Sequence, residues 1–559
     1  MSSAQPASDR TASPTADVAI LGSGLGGSML GAVLARHGAR VVLLDAESHP
    51  RFAHGEAPTP RSMVALRTVA ERYGVPELKT LTSFENLTRI LGPQFGIQRH
   101  WGFLRHREGE RQDPREVTQS VTPALMHTAA HLYRQETDSH VYHTAVRYGC
   151  VPRQGFQVAG IELAGDGVTV AGQDGSEYKA RYLVDASGRR SALAEKLDLR
   201  SGPSPLRHRS RMVSSHLLGV RPTDGVLAPR SPRDVPPVPW HQGSVHHLFD
   251  GGWVWVTPFD NTPRSRNPLC SVGLVLDPER HPAGERSGAD EMAAIGERFP
   301  DIGRQLAGAA PFREWEVVED VPYASSQLVG DRWCLLGESA GFVDPLFSRS
   351  LSDTVEAVNA LAGRLLRAIT DDDFSTDRFD YVERLQRGFL AFDEDLVRSA
   401  YAAFDDYDLW NAVFRVWAWG SGGGSFRLQT ALGKFVADGR DEHFTALEDV
   451  PHVGFCWPDH DGFKALFDTL VTRCEAHRAG TLSGREAARE LFAMLEEADF
   501  VPKHLGFAER DERFLNPTPK KIIRSLRWAG TGADPQVRQL LMGNVQQAVG
   551  SRLRGRRIF

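Results

Sequence analysis

Gly22, Gly24 and Gly27 follow the pattern G-x-G-x-x-G, and Asp45 stands about 20 residues further on. Glycines so spaced permit a tight turn and bring backbone N–H groups close to a pyrophosphate. The following helix N-terminus faces that charge, and an acidic side chain accepts from ribose hydroxyls. FAD and NAD share this unit, so later residues must decide between them. Asp185 and Gly188 close a second strand-and-turn (RYLVDASGRRS), and Gly337, Gly341, Asp344 and Pro345 punctuate a third (GESAGFVDP) far downstream. No second G-x-G-x-x-G marks a nicotinamide domain. The arrangement points to one FAD held at both ends, its diphosphate at the first turn and its ribityl chain and ring at the third. Trp253 and Trp255, two apart, put both rings on one face of a strand, where core packing explains the pair as well as chemistry does. Glu56, after His54 and Gly55, is a general base if buried beside substrate and a hydrogen-bonded structural carboxylate otherwise. His100, His106, His246 and His247 read as structural histidines. Five scattered cysteines with no Cys-x-x-Cys argue against a disulfide framework or a zinc site, and no metal is expected.

The elements that position these residues give an α/β chain. A buried strand over 17–21, a helix through 29–36 and a strand over 40–44 form a βαβ unit of Rossmann type. A strand over 181–185 precedes Gly188. A third, over 333–336, is broken by Gly337 and followed by a turn at Pro345 and a helix through Val355 and Val358. Ser348 or Ser350 is the expected cap of that helix, with Ser352 and Asp353 favouring its positive end. The FAD-binding domain is expected over 17–94, 135–204 and 319–370. It is interleaved with a β-rich substrate domain over 95–134 and 205–318 and followed by a helical C-terminal domain over 371–559. Residues 222–239, rich in proline, read as a linker or lid. Apolar residues from Phe379 to Phe404 recur at helical spacing, and 420–424 (GSGGG) reads as a flexible break. Residues 1–16 read as a disordered leader and 551–559 (SRLRGRRIF) as a solvated basic end.

Net charge of −6 and the lack of an aromatic-studded basic stripe give no support to nucleic-acid binding. No run reaches the roughly 20 apolar residues a membrane helix needs, and the cytoplasm is the expected location. Only eight of the 65 basic residues are lysines.

Beyond the three fingerprints, the stretch Gly252-Trp253-Val254-Trp255-Val256-Thr257-Pro258 is similar to the Trp-x-Trp-x-Ile-Pro signature of the flavin-dependent halogenases. So are 131–138 (HLYRQETD, with Arg134), 245–249 (VHHLF), 267–273 (NPLCSVG), 342–348 (FVDPLFS) and 407–411 (YDLWN). The chain resembles that family from about residue 17 to beyond Phe500, within the aromatic hydroxylase-like flavoproteins and on the branch that chlorinates tetracycline-type polyketides. The resemblance implies FAD, reduced by a separate flavin reductase and then meeting oxygen, and a small-molecule natural-product substrate. In the family, chloride captures the oxygen as hypochlorous acid, which reaches a lysine that presents it to substrate, while the tryptophans keep substrate from the flavin. Arg134 joins the cofactor-binding set on this resemblance.

The chain departs from the family at two expected site positions, and a third change puts Glu338-Ser339 just before Ala340-Gly341. Where the lysine should lie, in 96–103 (GIQRHWGF), the matching position is Gln98, and an amide neither forms a chloramine nor carries a proton as an ammonium does. Lys79 is the nearest lysine and reads as solvated; Arg99 stays protonated and is a poor nucleophile. Where relatives have Phe-Ser-Arg-Gly-Leu-Ser, this chain has Ser350, which puts a Cβ and a hydroxyl where backbone N–H groups approach flavin and halide. The expectation is an FAD enzyme of halogenase or monooxygenase type, oxidative and no longer halogenating, acting on a polyketide-like intermediate. Two alternatives stay open: a non-redox cyclase, for example for a [4+2] cyclisation, with structural FAD, and an active chlorinase.

Overall fold

The computed structural model describes residues 16–123, 128–202 and 204–553, with side chains as far as 545. The leader expected over 1–16 falls outside these except for Ala16, which already belongs to the first strand, and the side chains of the basic tail lie outside them too.

Two sheets position the site. Ala16–Leu21, Val41–Asp45, Val151–Gln154, Glu177–Asp185 and Trp333–Leu335 make a parallel core with Ala16–Leu21 at its centre. Its central strands Ala16–Leu21 and Val41–Asp45 are buried along their length because both faces are covered: on one, Leu25–Arg36 packs against Arg134–Tyr148 and Ser350–Asp371, and on the other lie Val158–Ala164, Gly167–Gly172 and the short helix Ala192–Lys196. Val18, Ile20, Val33, Leu43, Val184 and Val355 are all buried in that core. The second sheet is nine-stranded among the described residues and mostly antiparallel. Arg211–Leu218, Leu269–Leu276, Gly252–Pro258, Ser244–Phe249, His100–Arg105 and Val117–Val121 lie side by side, and Phe514–Leu515 joins from near the C-terminus. Register puts Trp255 opposite Gly273 and His246, and His216 opposite Ser271.

The C-terminal part is helical, with a second core of aromatic side chains that includes Phe392, Trp410, Trp417 and Trp457. Here two expectations fail. The glycines of 420–424 do not break the chain but lie inside one helix, Tyr407–Asp438. A Cβ at Gly423 would overlap the Trp457 ring, and one at Gly424 would overlap the carbonyl of Cys456. The glycines serve packing, not flexibility. The helix Ser350–Asp371 is capped neither by Ser348 nor by Ser350: Arg349 occupies the cap position with no side-chain cap bond, and Ser350 is the first helical residue. No helix among the described residues is long and apolar enough to cross a membrane.

Candidate functional site

The first glycine turn is shaped by contact on two sides and space on the third. Gly22 has φ +91, and a Cβ there would sit 2.5 Å from the Ala186 carbonyl oxygen; one at Gly27 would overlap the Gly22 carbonyl. At Gly24, the cap of the helix Leu25–Arg36, a Cβ would meet nothing within 4 Å. That open backbone at a helix N-terminus fits a diphosphate. Asp45 ends the next strand, its carboxylate accepting from Arg51 at 2.6 and 2.8 Å and from the Ser23 hydroxyl at 2.7 Å. Burial raises its pKa, but the hydrogen bonds and charge of Arg51, with Ser23, outweigh this and hold it below the ordinary range.

Asp185 ties the second turn to the third. Its carboxylate accepts from the Ser187 backbone N–H at 2.9 Å, the Ser191 hydroxyl at 2.7 Å and the Ser339 hydroxyl at 3.2 Å. The Gly188 N–H, at φ +77, donates to Ser339 Oγ at 2.8 Å. Gly337 has φ +61, and a Cβ there would lie 2.6 Å from Thr354 Oγ1; one at Gly341 would lie 2.9 Å from the Tyr323 carbonyl oxygen. Asp344, just before Pro345, is buried and accepts from the Leu346 N–H at 3.0 Å and the Tyr401 hydroxyl at 3.0 Å, with His208 Nε2 at 3.3 Å. Ser350 donates to Glu338 Oε1 at 2.8 Å. Beside this loop lies a small cavity of about 50 Å³, lined among others by Glu338, Asp344, Phe347, Arg349, Ser350 and Asp393. Arg349, beside Asp353 and Asp393, is fully buried there, so an ionic cluster backs the helix start.

Arg134 does not stand free. It forks onto Asp138 at 2.7 and 2.9 Å and donates to the carbonyls of His54 and Gly55. It thereby fixes the turn that presents Glu56 to the second sheet. Glu56 is buried, with Oε1 2.7 Å from His216 Nε2 and a further bond from the Ser271 hydroxyl. Ser271 Oγ also accepts from Trp255 Nε1 at 3.1 Å. Trp253 and Trp255 share a face with ring centroids 5.7 Å apart; Trp253 is buried and Trp255 half-buried. The hydroxyls of Thr257 and Ser244 lie 3.1 Å apart, and His131 Nε2 is 3.2 Å from Ser244.

That histidine belongs to the ribbon pairing Gly96–Gln98 with Ala129–His131, in which Gln98 lies opposite Ala129. Gln98 is 0% exposed, and neither amide atom has a partner. Arg99 points outward to Gln242. None of the eight lysines is buried, and Lys79 pairs with Glu71. Burial pushes His100, His246 and His247 down to about 4, which keeps them neutral and matches a structural role.

The structure thus joins Glu56, Arg134 and Trp255 in one network and Asp185, Gly188 and Gly337–Ser339 in another, but links Gln98 to neither by a hydrogen bond. His216 and Arg51 were missed from the sequence, and Ser271 and Ser339 were not named there as site residues. His216 and Ser271 fall on apolar-looking strands, and only their register on one sheet face could have exposed them.

Residues 15–266 match the family described as an FAD binding domain. A tetracycline 7-halogenase from Kitasatospora aureofaciens is 46% identical over 533 residues, 95% of this chain and 96% of that protein. The monodechloroaminopyrrolnitrin halogenase PrnC of Pseudomonas fluorescens is 39% identical over 531 residues, 94% of this chain and 93% of that protein. Among solved structures, the halogenase PltM in complex with phloroglucinol and FAD superposes with a TM-score of 0.86 at 34% identity, covering 90% of this chain and 99% of PltM.

Proposed function

The chain belongs to the flavin-dependent halogenase family and takes FAD as cofactor, and from that premise we propose that it oxidises a hydroxylated aromatic, polyketide-like intermediate without halogenating it. Bound FAD, reduced by a separate reductase, supplies the oxidising equivalent from molecular oxygen. Gly22, Gly24 and Gly27 hold its diphosphate, Asp45 its adenosine ribose, and Asp185, Gly188, Gly337, Gly341, Asp344, Pro345 and Ser350 its ribityl chain and ring. Arg134 orients the turn beside them. Trp253 and Trp255 wall the substrate side, with Glu56 behind Trp255.

The observation that carries the proposal is Gln98. A buried amide with no partner costs about 1–3 kcal/mol per orphaned group, so it is retained for a polar ligand, not for packing. An amide hydrogen-bonds a substrate carbonyl or hydroxyl but cannot carry active halogen as an amine does. With every lysine on the surface, no other amine substitutes. The second departure, Ser350, stands where the family resemblance expects a glycine and directs its hydroxyl to Glu338.

The test supplies reduced FAD, oxygen and chloride to the wild type and to Gln98→Lys, with phloroglucinol and hydroxylated polyketides as substrates. Oxygenated products from the wild type and chlorinated ones only from Gln98→Lys are expected. Robust chlorination by the wild type overturns the proposal in favour of a working chlorinase, a reading that the retained tryptophan pair favours. Turnover without oxygen on oxidised FAD overturns it in favour of a non-redox role.

A further inference from the structure

His216 is a buried base that no step above uses. It lies on the strand Arg211–Leu218, 0% exposed, with Nε2 directed at Glu56. Burial raises the Glu56 carboxyl, but the charge and hydrogen bond of His216, with Ser271, outweigh it and hold Glu56 below its ordinary range. An ionised carboxylate only accepts, so the proton between them belongs to Nε2. Nδ1 of the same ring is buried and without a partner, and in the neutral form, the only one that can take a proton, it carries a bare lone pair. A base held in one tautomer by a carboxylate, with its other nitrogen free, is the arrangement that proton abstraction requires.

The surroundings are aromatic. Phe52 lies 4.9 Å from the His216 ring and Phe259 is stacked 6.3 Å away. Phe52 in turn meets Tyr133 at 6.2 Å and Phe312 at 6.3 Å, and Phe312 is 55% exposed. A line of packed aromatic rings, Phe312 and Phe52, thus lies between solvent and the histidine, and a planar ring could stack on them. The charged and titratable groups around it are Glu56 and His54 on the turn, Glu316 against His54, Tyr133 and Arg134 at the helix start, His131, Cys270 on the adjacent strand, and Arg313 over Phe52.

We propose that His216, oriented by Glu56, is the base that takes the proton from a phenolic or enolic hydroxyl of the substrate, which enters along the Phe312–Phe52 wall. This rests on the reading that the substrate is a hydroxylated aromatic. In the step the substrate O–H bond breaks and an N–H bond forms at Nδ1, giving an imidazolium paired with the Glu56 carboxylate. The electron pair stays on oxygen, and conjugation enriches the ring carbons toward an electrophile. The proton returns to that oxygen when product leaves.

The probe is 4-nitrophenol, whose ionised form alone absorbs in the violet, added to FAD-loaded protein below the pH at which the free phenol ionises. Neither reductant nor turnover is needed, so the outcome is independent of whether oxygen or halogen is transferred. In the wild type binding should raise the ionised fraction by about tenfold or more, one pKa unit. His216→Asn should abolish that gain and Glu56→Gln reduce it, while calorimetry still detects the phenol binding and the flavin spectrum shows FAD retained. Absence of the gain in the wild type, or an equal gain in His216→Asn, overturns the proposal. Loss of FAD from both variants marks the pair as a structural latch between the sheets and overturns it as well.

Discussion

Gly273→Ala tests whether the sheet was built around Trp255. The Trp255 ring lies flat against Gly273, and a Cβ there would fall inside contact distance of Cη2, Cζ2 and Cζ3. Carbon atoms rest at about 3.5 Å, so the ring must retreat by more than about 1 Å. Gly273 lies in the middle of a paired strand, with Trp255 and Ser214 opposite, so its backbone cannot yield. The ring's retreat strains the 3.1 Å bond from Trp255 Nε1 to Ser271 and its packing on Trp253. Overpacking costs about 1–3 kcal/mol and the weakened hydrogen bond about 1 kcal/mol, together about 2–4 kcal/mol. Because a chain of this size is not two-state, the assay is denaturant-induced flavin release compared among Gly273→Ala, Trp255→Ala and the double variant. Once the ring is gone the alanine meets open space, so the double variant should be no less stable than Trp255→Ala alone, a coupling of about 2 kcal/mol or more. Simple addition of the two costs would refute the argument, because it would place the strain of Gly273→Ala somewhere other than at the indole.

Arg415→Met should cost about 2–5 kcal/mol, because fully buried Arg415 donates to Asn411 and to the carbonyls of Gly506 and Glu512, which would be left unpaired. Faster proteolysis between 500 and 515, with the flavin retained, is the readout, and unchanged cleavage would discount the anchor. Asp45 is held below the ordinary carboxylate range, so its contribution to stability is complete above the unfolded value of 3.8 and is lost as pH falls through the lower folded value. Asp45→Asn should therefore flatten the acid limb of flavin release below about pH 4, and a limb identical to the wild type's would assign it to other groups.

Much of the backbone at the three glycine turns was legible in the residues themselves. A glycine at φ +91 packed on the Ala186 carbonyl, followed by one with open space before it, is a local demand, and G-x-G-x-x-G states it within six positions. Asp185 with Gly188, and Gly337 with Gly341, are similarly short-range, as is the alternation that puts Trp253 and Trp255 on one face. Charge and apolar run length likewise needed no coordinates.

What stayed hidden depends on residues far apart in sequence. The glycines of 420–424 have the composition of a linker, and only the arrival of Cys456, Trp457 and Phe463 against them keeps them helical. The helix start at Arg349 escaped cap rules because ion pairs to Asp353 one turn on and to Asp393 of the helix Asp380–Ala403, not a side-chain cap, settle that residue. His216 and Glu56 stand 160 positions apart, and neither strand pattern nor motif predicts that they share a proton. Local backbone requirements are written in adjacent residue types, and so the sequence by itself determined the family and the flavin fingerprints. Which side chains face one another across two sheets depends on register and domain packing, and the tertiary structure alone decided that Glu56 has His216 behind it and Gln98 has no partner.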